Sequence, residues 1–341
     1  MGGGTPDTTV QEYWNGGIQW FTPSEIGKNK YADKSERTIS QEGLNNSSAK
    51  LLPINTILLS TRATIGESSI AKEECCTNQG FQSLIANEEI VCYEYLYYLV
   101  ATLTKELIRK SCGSTFLEIS ANEVRKIKTF IPNLDEQNKV SSLLSLIDER
   151  IATQIKIIEK LESLIKGLYQ KLTQQGNPNT ALNETLVCYS STLQESSVQE
   201  TGDYPVYGAT GVCGYTDVPE VDGDSILIIK DGASVGVTYY ASGRYSAIGT
   251  LNRLVAKREY SLRYLYYCLK VFNFAPYRTG LAIPHIYFRD YGKAKVWCPS
   301  LDEQQRIADA LSKVERKIAI EKSLLEQLYS QKRFLLQAMF I

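Results

Sequence analysis

One histidine, His285, stands in the whole sequence. Any Ser/His/Asp or Cys/His site, and any zinc site with histidine ligands, would have to be built on that single ring, which argues against both. The eight cysteines (Cys75, Cys76, Cys92, Cys112, Cys188, Cys213, Cys268 and Cys298) form no C-x-x-C pair and show no framework spacing. They fit the thiols of a reducing cytosol rather than a disulfide scaffold. Long apolar runs are missing too, since nothing approaches the ~18 residues of a membrane span. The opening MGGGTPDTTV lacks the basic and apolar regions of a signal peptide, so the expected compartment is the cytoplasm. Neither sign of charge predominates, with 37 basic against 38 acidic residues and a formal charge of −1. That excludes binding through a polybasic tail but leaves a nucleic-acid partner open, because the position of the charges decides it. No G-x-x-x-x-G-K-[ST] loop is present to hold ATP.

What is present is a repeat. PNLDEQNKVSSLLSLIDERI begins at Pro132 and PSLDEQQRIADALSKVERKI at Pro299. A shift of 167 residues lays Leu134-Asp135-Glu136-Gln137 on Leu301-Asp302-Glu303-Gln304, and the match runs on for about 38 positions. Behind the first opening, Val140, Leu144, Ile147, Ile151, Ile158, Leu161, Ile165, Leu168 and Leu172 recur at heptad positions. Behind the second, Ile307, Leu311, Val314, Ile318, Leu325, Leu328, Leu335 and Met339 do the same. Alternating three- and four-residue spacing sustained this long predicts a coiled-coil seam. Gln154, Glu321 and Lys332 interrupt it. Lys332 lies near a helix end, where its stem can snorkel. Gln154 and Glu321 lie at helix midpoints, and as polar seam residues they are expected to fix the register of the helix pair. Antiparallel pairing is favoured, although parallel in-register pairing would also bring these two together. The prolines end the preceding strand. Asn133 or Asp135, and Ser300 or Asp302, are candidate caps. Capping accounts for either copy singly, but not for there being two.

The segments ahead of the helices also correspond. Asn55–Gly66 (NTILLSTRATIG) matches Asp224–Gly236 (DSILIIKDGASVG), each a buried strand running into a loop closed by glycine. Tyr93–Val100 (YEYLYYLV) matches Leu262–Leu269 (LRYLYYCL), an aromatic helix that reads as domain core. Gly113–Ser120 matches Gly280–Tyr287, and each is followed by a short basic strand into the proline. Upstream, NGGIQWFTPSEIG resembles TGDYPVYGATGVCGYTD. The expected organisation is a first domain at 1–133, a helix at 134–173, a second domain at 174–299 and a helix at 300–341. Shared elements with divergent loops suggest two modules doing one job on two targets.

Taken together, GGGTP…YWNGGIQWFTPSEI, the two glycine loops, GSTFLEIS, TGLAIPHI and the twice-used P-x-L-D-E-Q resemble the specificity (S) subunit of type I DNA restriction–modification systems. The resemblance implies an α+β fold, with two similar target recognition domains separated and followed by two long helices that form an antiparallel coiled coil with pseudo-twofold symmetry. It implies a non-catalytic subunit that reads a bipartite DNA target. Two methyltransferase subunits would hold S-adenosylmethionine and methylate adenine, and a restriction and translocase subunit would use ATP and Mg. Asn-Pro-Asn at Asn177 is not itself the N/D-P-P-Y/F element of an amino-methyltransferase. One departure stands out: the second domain has the stretch Thr173–Gly202 ahead of its first matched element, about twice what the first domain has. A shortened first domain, or one completed by another segment, would each account for it.

Some 38 helical residues at ~1.5 Å each make a rod of roughly 57 Å, on the order of 17 base pairs at ~3.4 Å per step. Two unlike half-sites with an unspecified gap follow from that spacing. The candidate DNA contacts are Arg62, Asn78, Gln79, Ser114, Thr115, Lys230 (with Asp231), Arg278, Tyr287 and Arg289, all on or beside the matched loops. Asn78 and Gln79 have the amide geometry suited to adenine. A solvated loop role competes for each. His285 reads first as a packed or loop residue, with DNA contact as the alternative. The competing function is a two-domain coiled-coil scaffold for protein or glycan, to which the 22 tyrosines would be suited. Cysteine-based enzymology lacks a paired histidine.

Overall fold

The computed structural model describes residues 1–113, 117–280 and 282–340. The chain divides into two compact units, Met1–Thr153 with Leu325–Ile341, and Gln154–Leu324. In the first domain the elements are β1 (Trp14–Phe21), β2 (Tyr31–Ala32), β3 (Arg37–Ile39), α1 (Gln41–Asn45), β4 (Ile57–Leu59), β5 (Ser68–Ala71), β6 (Cys75–Thr77), α2 (Tyr93–Thr102), α3 (Thr104–Arg109) and α4 (Ala121–Arg125). They make two small sheets, ordered β3-β1-β6 and β2-β5-β4. β1 pairs antiparallel with β3 through an irregularity between Trp14 and Ile18, and parallel with β6. β4 ends the ordered sheet, but isolated bridges from Ile57 to Leu84 and from Ser60 to Phe81 flank its other side, and its apolar run Ile57–Leu59 is buried throughout, as a strand packed on both faces must be.

After α5 (Leu134–Thr173) the second domain contains β7 (Thr180–Ala181), α6 (Leu182–Thr185), β8 (Leu186–Ser190), β9 (Tyr204–Gly208), β10 (Gly211–Thr216), β11 (Val221–Asp222), β12 (Ser225–Ile229), β13 (Thr238–Ala241), β14 (Arg244–Ala247), β15 (Leu251–Ala256), α7 (Leu262–Lys270), α8 (Phe288–Tyr291) and β16 (Lys295–Val296), before α9 (Leu301–Met339). Its sheets are ordered β10-β9-β14-β11, β13-β12-β15-β8 and β16-β7. Each matched strand holds the same place, with β4 against β5 in the first domain and β12 against β13 in the second. The tyrosine helices are core. Tyr95 and Tyr98 of α2, and Tyr264, Tyr266 and Tyr267 of α7, are buried.

In the first unit, Val140 and Leu144 near the start of α5 share a cluster with Leu335 and Met339 near the end of α9, and Lys332 reaches Asp148 at 2.6 Å. Its ammonium is therefore paired rather than carried out to water. In the second unit, Glu162 meets Lys322 at 2.6 Å and Tyr169 donates to Glu315 at 2.7 Å. One helix advances as the other recedes, so the pairing is antiparallel. Each domain is pinned to its helices in the same way. Tyr98 Oη donates to Asp148 at 2.7 Å, and Tyr267 Oη donates to Glu315 at 2.8 Å. Burial, more than the carboxylate, pushes both phenols upward in pKa.

The opening of each long helix holds more than a cap. Asn133 Oδ1 accepts the Glu136 amide at 3.0 Å and Ser300 Oγ accepts that of Glu303 at 3.4 Å, so these residues, not Asp135 or Asp302, cap the turns. The Gln of Leu-Asp-Glu-Gln turns inward. Gln137 accepts from the Cys92 amide at 3.0 Å and donates to Pro132 O at 2.8 Å; Gln304 accepts from the Ser261 amide at 3.0 Å and donates to Pro299 O at 2.9 Å. Cys92 and Ser261 are the N-caps of α2 and α7. Each glutamine thus stitches the start of a long helix to the start of a tyrosine helix, a job that needs an acceptor and a donor on one buried side chain.

One expected strand is missing. The basic stretch before the proline is a strand, β16, only in the second domain, where β7 pairs with it. Lys126–Ile131 is in no described strand, because a strand exists only against a partner.

Candidate nucleic-acid interface

In each unit three loops converge where a central strand ends. Beyond β4, Thr61 donates its backbone N–H to Gly80 O at 2.8 Å and accepts from Ile119 N at 3.1 Å. Beyond β12, Lys230 donates to Thr250 O at 3.0 Å and accepts from Ile286 N at 2.9 Å. The next residue in each case forms a bridge, Arg62 with Glu118 and Asp231 with His285. The side chains pair as well. Arg62 Nη2 lies 2.9 Å from Glu118 Oε1, and His285 Nδ1 lies 2.7 Å from Asp231 Oδ1. The two pairs occupy equivalent positions with the carboxylate on opposite sides, on Glu118 in the first unit and on the strand-end residue Asp231 in the second, so one scaffold presents two unlike polar surfaces.

The residue after each bridge must take a left-handed backbone. It is Gly232 in the second unit, with φ +100°, but Ala63 in the first, with φ +58°. A Cβ in that region crowds the following carbonyl, so the first loop is strained at a point beside Arg62.

The remaining candidates sit on or beside these loops. Asn78 Oδ1 accepts the Gly80 amide at 2.8 Å, closing its own turn, and Gln79 is exposed with its Oε1 taken by Thr5 Oγ1 at 2.7 Å. The Asn78 carbonyl group is therefore spent on structure, while among the described residues its amide nitrogen makes no side-chain hydrogen bond. Lys230 is half-buried and Arg278 donates to Val235 O at 3.2 Å. Tyr287 stacks near His285, with Arg289 lying over its ring at 4.9 Å. Arg62, Gln79, Arg278, Tyr287 and Arg289 remain exposed. Ser114 and Thr115 lie outside the described residues. Among the described residues no group of three His, Cys, Asp or Glu side chains could hold a metal ion, and no helix is long and apolar enough to cross a membrane.

Gln154 and Glu321, both nearly buried, meet inside the second unit. Gln154 Nε2 donates to the Glu321 backbone carbonyl at 3.0 Å and to its carboxylate, which Lys317 also contacts. Lys317 and then Gln154 hold the Glu321 carboxyl below its ordinary pKa.

Residues 1–163 and 189–330 match the type I restriction modification DNA specificity domain family. The chain belongs to this family. It is 38% identical over 173 residues to the type I restriction enzyme MjaIX specificity subunit of Methanocaldococcus jannaschii, covering 50% of this chain and 40% of that one. It is 24% identical to the EcoprrI specificity subunit of Escherichia coli over 92% of this chain and 84% of that one. The fold is also that of a type I restriction–modification S subunit from M. genitalium, with a TM-score of 0.66 at 19% identity, covering 99% of this chain and 92% of the other. The chain thus spans less than half of the M. jannaschii specificity subunit.

Sequence reasoning missed the buried Gln137 and Gln304, although the signal was in plain view as the fourth residue of a repeated tetrad. It also missed the Arg62–Glu118 and Asp231–His285 pairs. Each partner lay in a matched segment, but nothing in one dimension brings the segments together.

Proposed function

We propose that the chain is the non-catalytic, DNA-reading subunit of a type I restriction–modification complex, with each domain taking one half of a bipartite target. The observation that carries this reading is the repeated loop junction with its carboxylate on opposite sides: one backbone frame, two different polar faces, each set on a long helix. Base edges are distinguished by the donor and acceptor patterns facing them, so unlike junctions would select unlike half-sites. Exposed Arg62 and Gln79 in the first unit, and Arg278, Tyr287 and Arg289 in the second, are the side chains we assign to that contact. Gln154 and Glu321 set the helix register, and the 40-residue length of α5 supports a fixed gap between half-sites.

The same reading gives 1–133 and 174–299 as the recognition domains, with 134–173 and 300–341 as spacer helices. Partner methyltransferase subunits would dock on the helices, where Leu146, Leu164, Ile320 and Phe334 remain exposed. These subunits would carry S-adenosylmethionine, and a restriction and translocase subunit would carry ATP and Mg. A chain of net charge −1 suits readout, leaving much of the phosphate contact to its partners.

The test is binding of the chain, assembled with its methyltransferase subunits, to duplexes carrying the methylated target found by methylome sequencing. Salt-sensitive binding is expected, lost when one base pair is added to the gap, since that turns one half-site by about 35° around the axis. Binding that tolerates the insertion, or no duplex binding by the complex, overturns the proposal.

A further inference from the structure

The two junctions correspond residue by residue, and the correspondence singles out one side chain. In the first unit Cys112 and Glu118 exchange both backbone hydrogen bonds, each 2.9 Å long. In the second, Thr279 and His285 do the same, at 2.9 and 2.7 Å. Glu118 and His285 therefore hold one position, 167 residues apart in the chain. Each bridges the residue just past its central strand, Arg62 or Asp231. One member of each pair is a carboxylate, which can only accept hydrogen bonds. The other member, Arg62 or His285, is left with donors or acceptors to spare.

The His285 ring is closely held. Nδ1 lies 2.7 Å from Asp231 Oδ1. Gly280, at φ +88°, turns bare backbone to the ring, and a Cβ there would stand 3.1 Å from His285 Cδ2. The Tyr287 ring lies at 23° to the imidazole, with centroids 6.5 Å apart. Among the described residues nothing hydrogen-bonds Nε2, and the side chain is 35% exposed. The first unit makes the same backbone pairing with a glutamate in this place, so the fold itself does not call for an imidazole.

Asp231 settles which nitrogen carries the proton. A carboxylate has no hydrogen to give, so Nδ1 is the donor, and Nε2 of the neutral ring presents a lone pair. In the major groove a lone pair finds its partner in an exocyclic amino group, N6 of adenine or N4 of cytosine. Thymine and guanine offer keto oxygens there, O4 and O6, which repel it.

We infer that His285 is a base-reading residue of the second domain, accepting from an adenine or cytosine amino group through Nε2, with Asp231 as its positioning residue. The inference rests on the DNA reading proposed above and deepens it.

The test uses the chain assembled with its methyltransferase subunits, and duplexes carrying the target found by methylome sequencing. Base pairs of the second half-site are inverted one at a time, exchanging the two bases between strands. Inversion replaces an amino group by a keto oxygen in the same part of the groove. At one position the parent complex should lose about tenfold in affinity on inversion, while His285→Ala binds both duplexes alike. Asp231→Asn should lose that discrimination too, because an amide either accepts from Nδ1–H or donates to Nδ1 and so leaves both tautomers open. Discrimination at the first half-site should be unchanged in both variants, which separates the loss of one base contact from damage to the fold. Parent-level discrimination throughout the second half-site in either variant overturns the inference, and so does loss at both half-sites. A parent complex that binds no duplex overturns the DNA reading, and the inference falls with it.

Discussion

Replacing Gln137 by leucine isolates the stitch between a spacer helix and its domain. The side chain is 0% exposed and makes three hydrogen bonds: from the Cys92 amide at 3.0 Å, and to Ile90 O at 2.9 Å and Pro132 O at 2.8 Å. Leucine has nearly the same volume, so the change is chemical rather than steric. Losing three bonds at ~1 kcal/mol each, with the Cys92 amide left unsatisfied at the N-terminus of α2, costs about 3–5 kcal/mol. Apolar transfer of the leucine returns about 1–2 kcal/mol. The net loss is about 2–3 kcal/mol, or roughly 4–10 °C in melting temperature for a unit of this size. Gln304→Leu gives up only two such bonds and should lose about 1–2 kcal/mol by the same reasoning. Urea titrations followed by circular dichroism measure both. A Gln137→Leu chain within ~0.5 kcal/mol of the parent, or a Gln304→Leu chain that suffers more, would refute the account of the repeated glutamine.

Ala63→Gly should stabilise the first unit by about 0.5–1 kcal/mol, relief of ~1–2 kcal/mol of left-handed strain less the extra freedom of glycine in the unfolded chain; a lowered urea midpoint contradicts this. Lys317 and Gln154 hold the Glu321 carboxyl below its ordinary value of 4.5, so its contribution is fully present above that value and is lost as pH falls through the lower folded one. Melting temperature should therefore fall more between about pH 5 and about pH 3 in the parent than in Glu321→Gln, and parallel curves would count against the assignment. Burial pushes the thiols of Cys75 up to about 12 and of Cys76, Cys188 and Cys298 up to about 11, while Cys112 is exposed. Native protein should show its fastest thiol towards a disulfide reagent at Cys112, lost in Cys112→Ser; equally fast reaction at Cys75, Cys76 or Cys298, which are buried, would mean the cores are open.

Periodicity made the long helices legible, because a seam repeating every seven residues admits only a helix packed along one stripe. Their antiparallel sense was favoured but not fixed, because Gln154 and Glu321 at matched midpoints would also meet in a parallel pair; contacts such as Asp148 with Lys332 and Glu162 with Lys322 decide it. The fate of the basic stretch ahead of Pro132 was not legible, because strand formation depends on a partner segment that a one-dimensional match between domains cannot supply. The caps show the same limit: Asn133 and Asp135 are both competent, and only the backbone path past Pro132 selects between them.

By itself, then, the sequence determined the order of parts, domain and helix twice over, since repetition and heptad spacing are properties of a string. The tertiary structure decided which side chains are available. Arg62 and His285 are each held by a carboxylate from a distant loop, and Gln137 is inside rather than at a surface. Those outcomes depend on which loops the strands bring to one place, and contact across such sequence separations is fixed only when the core closes.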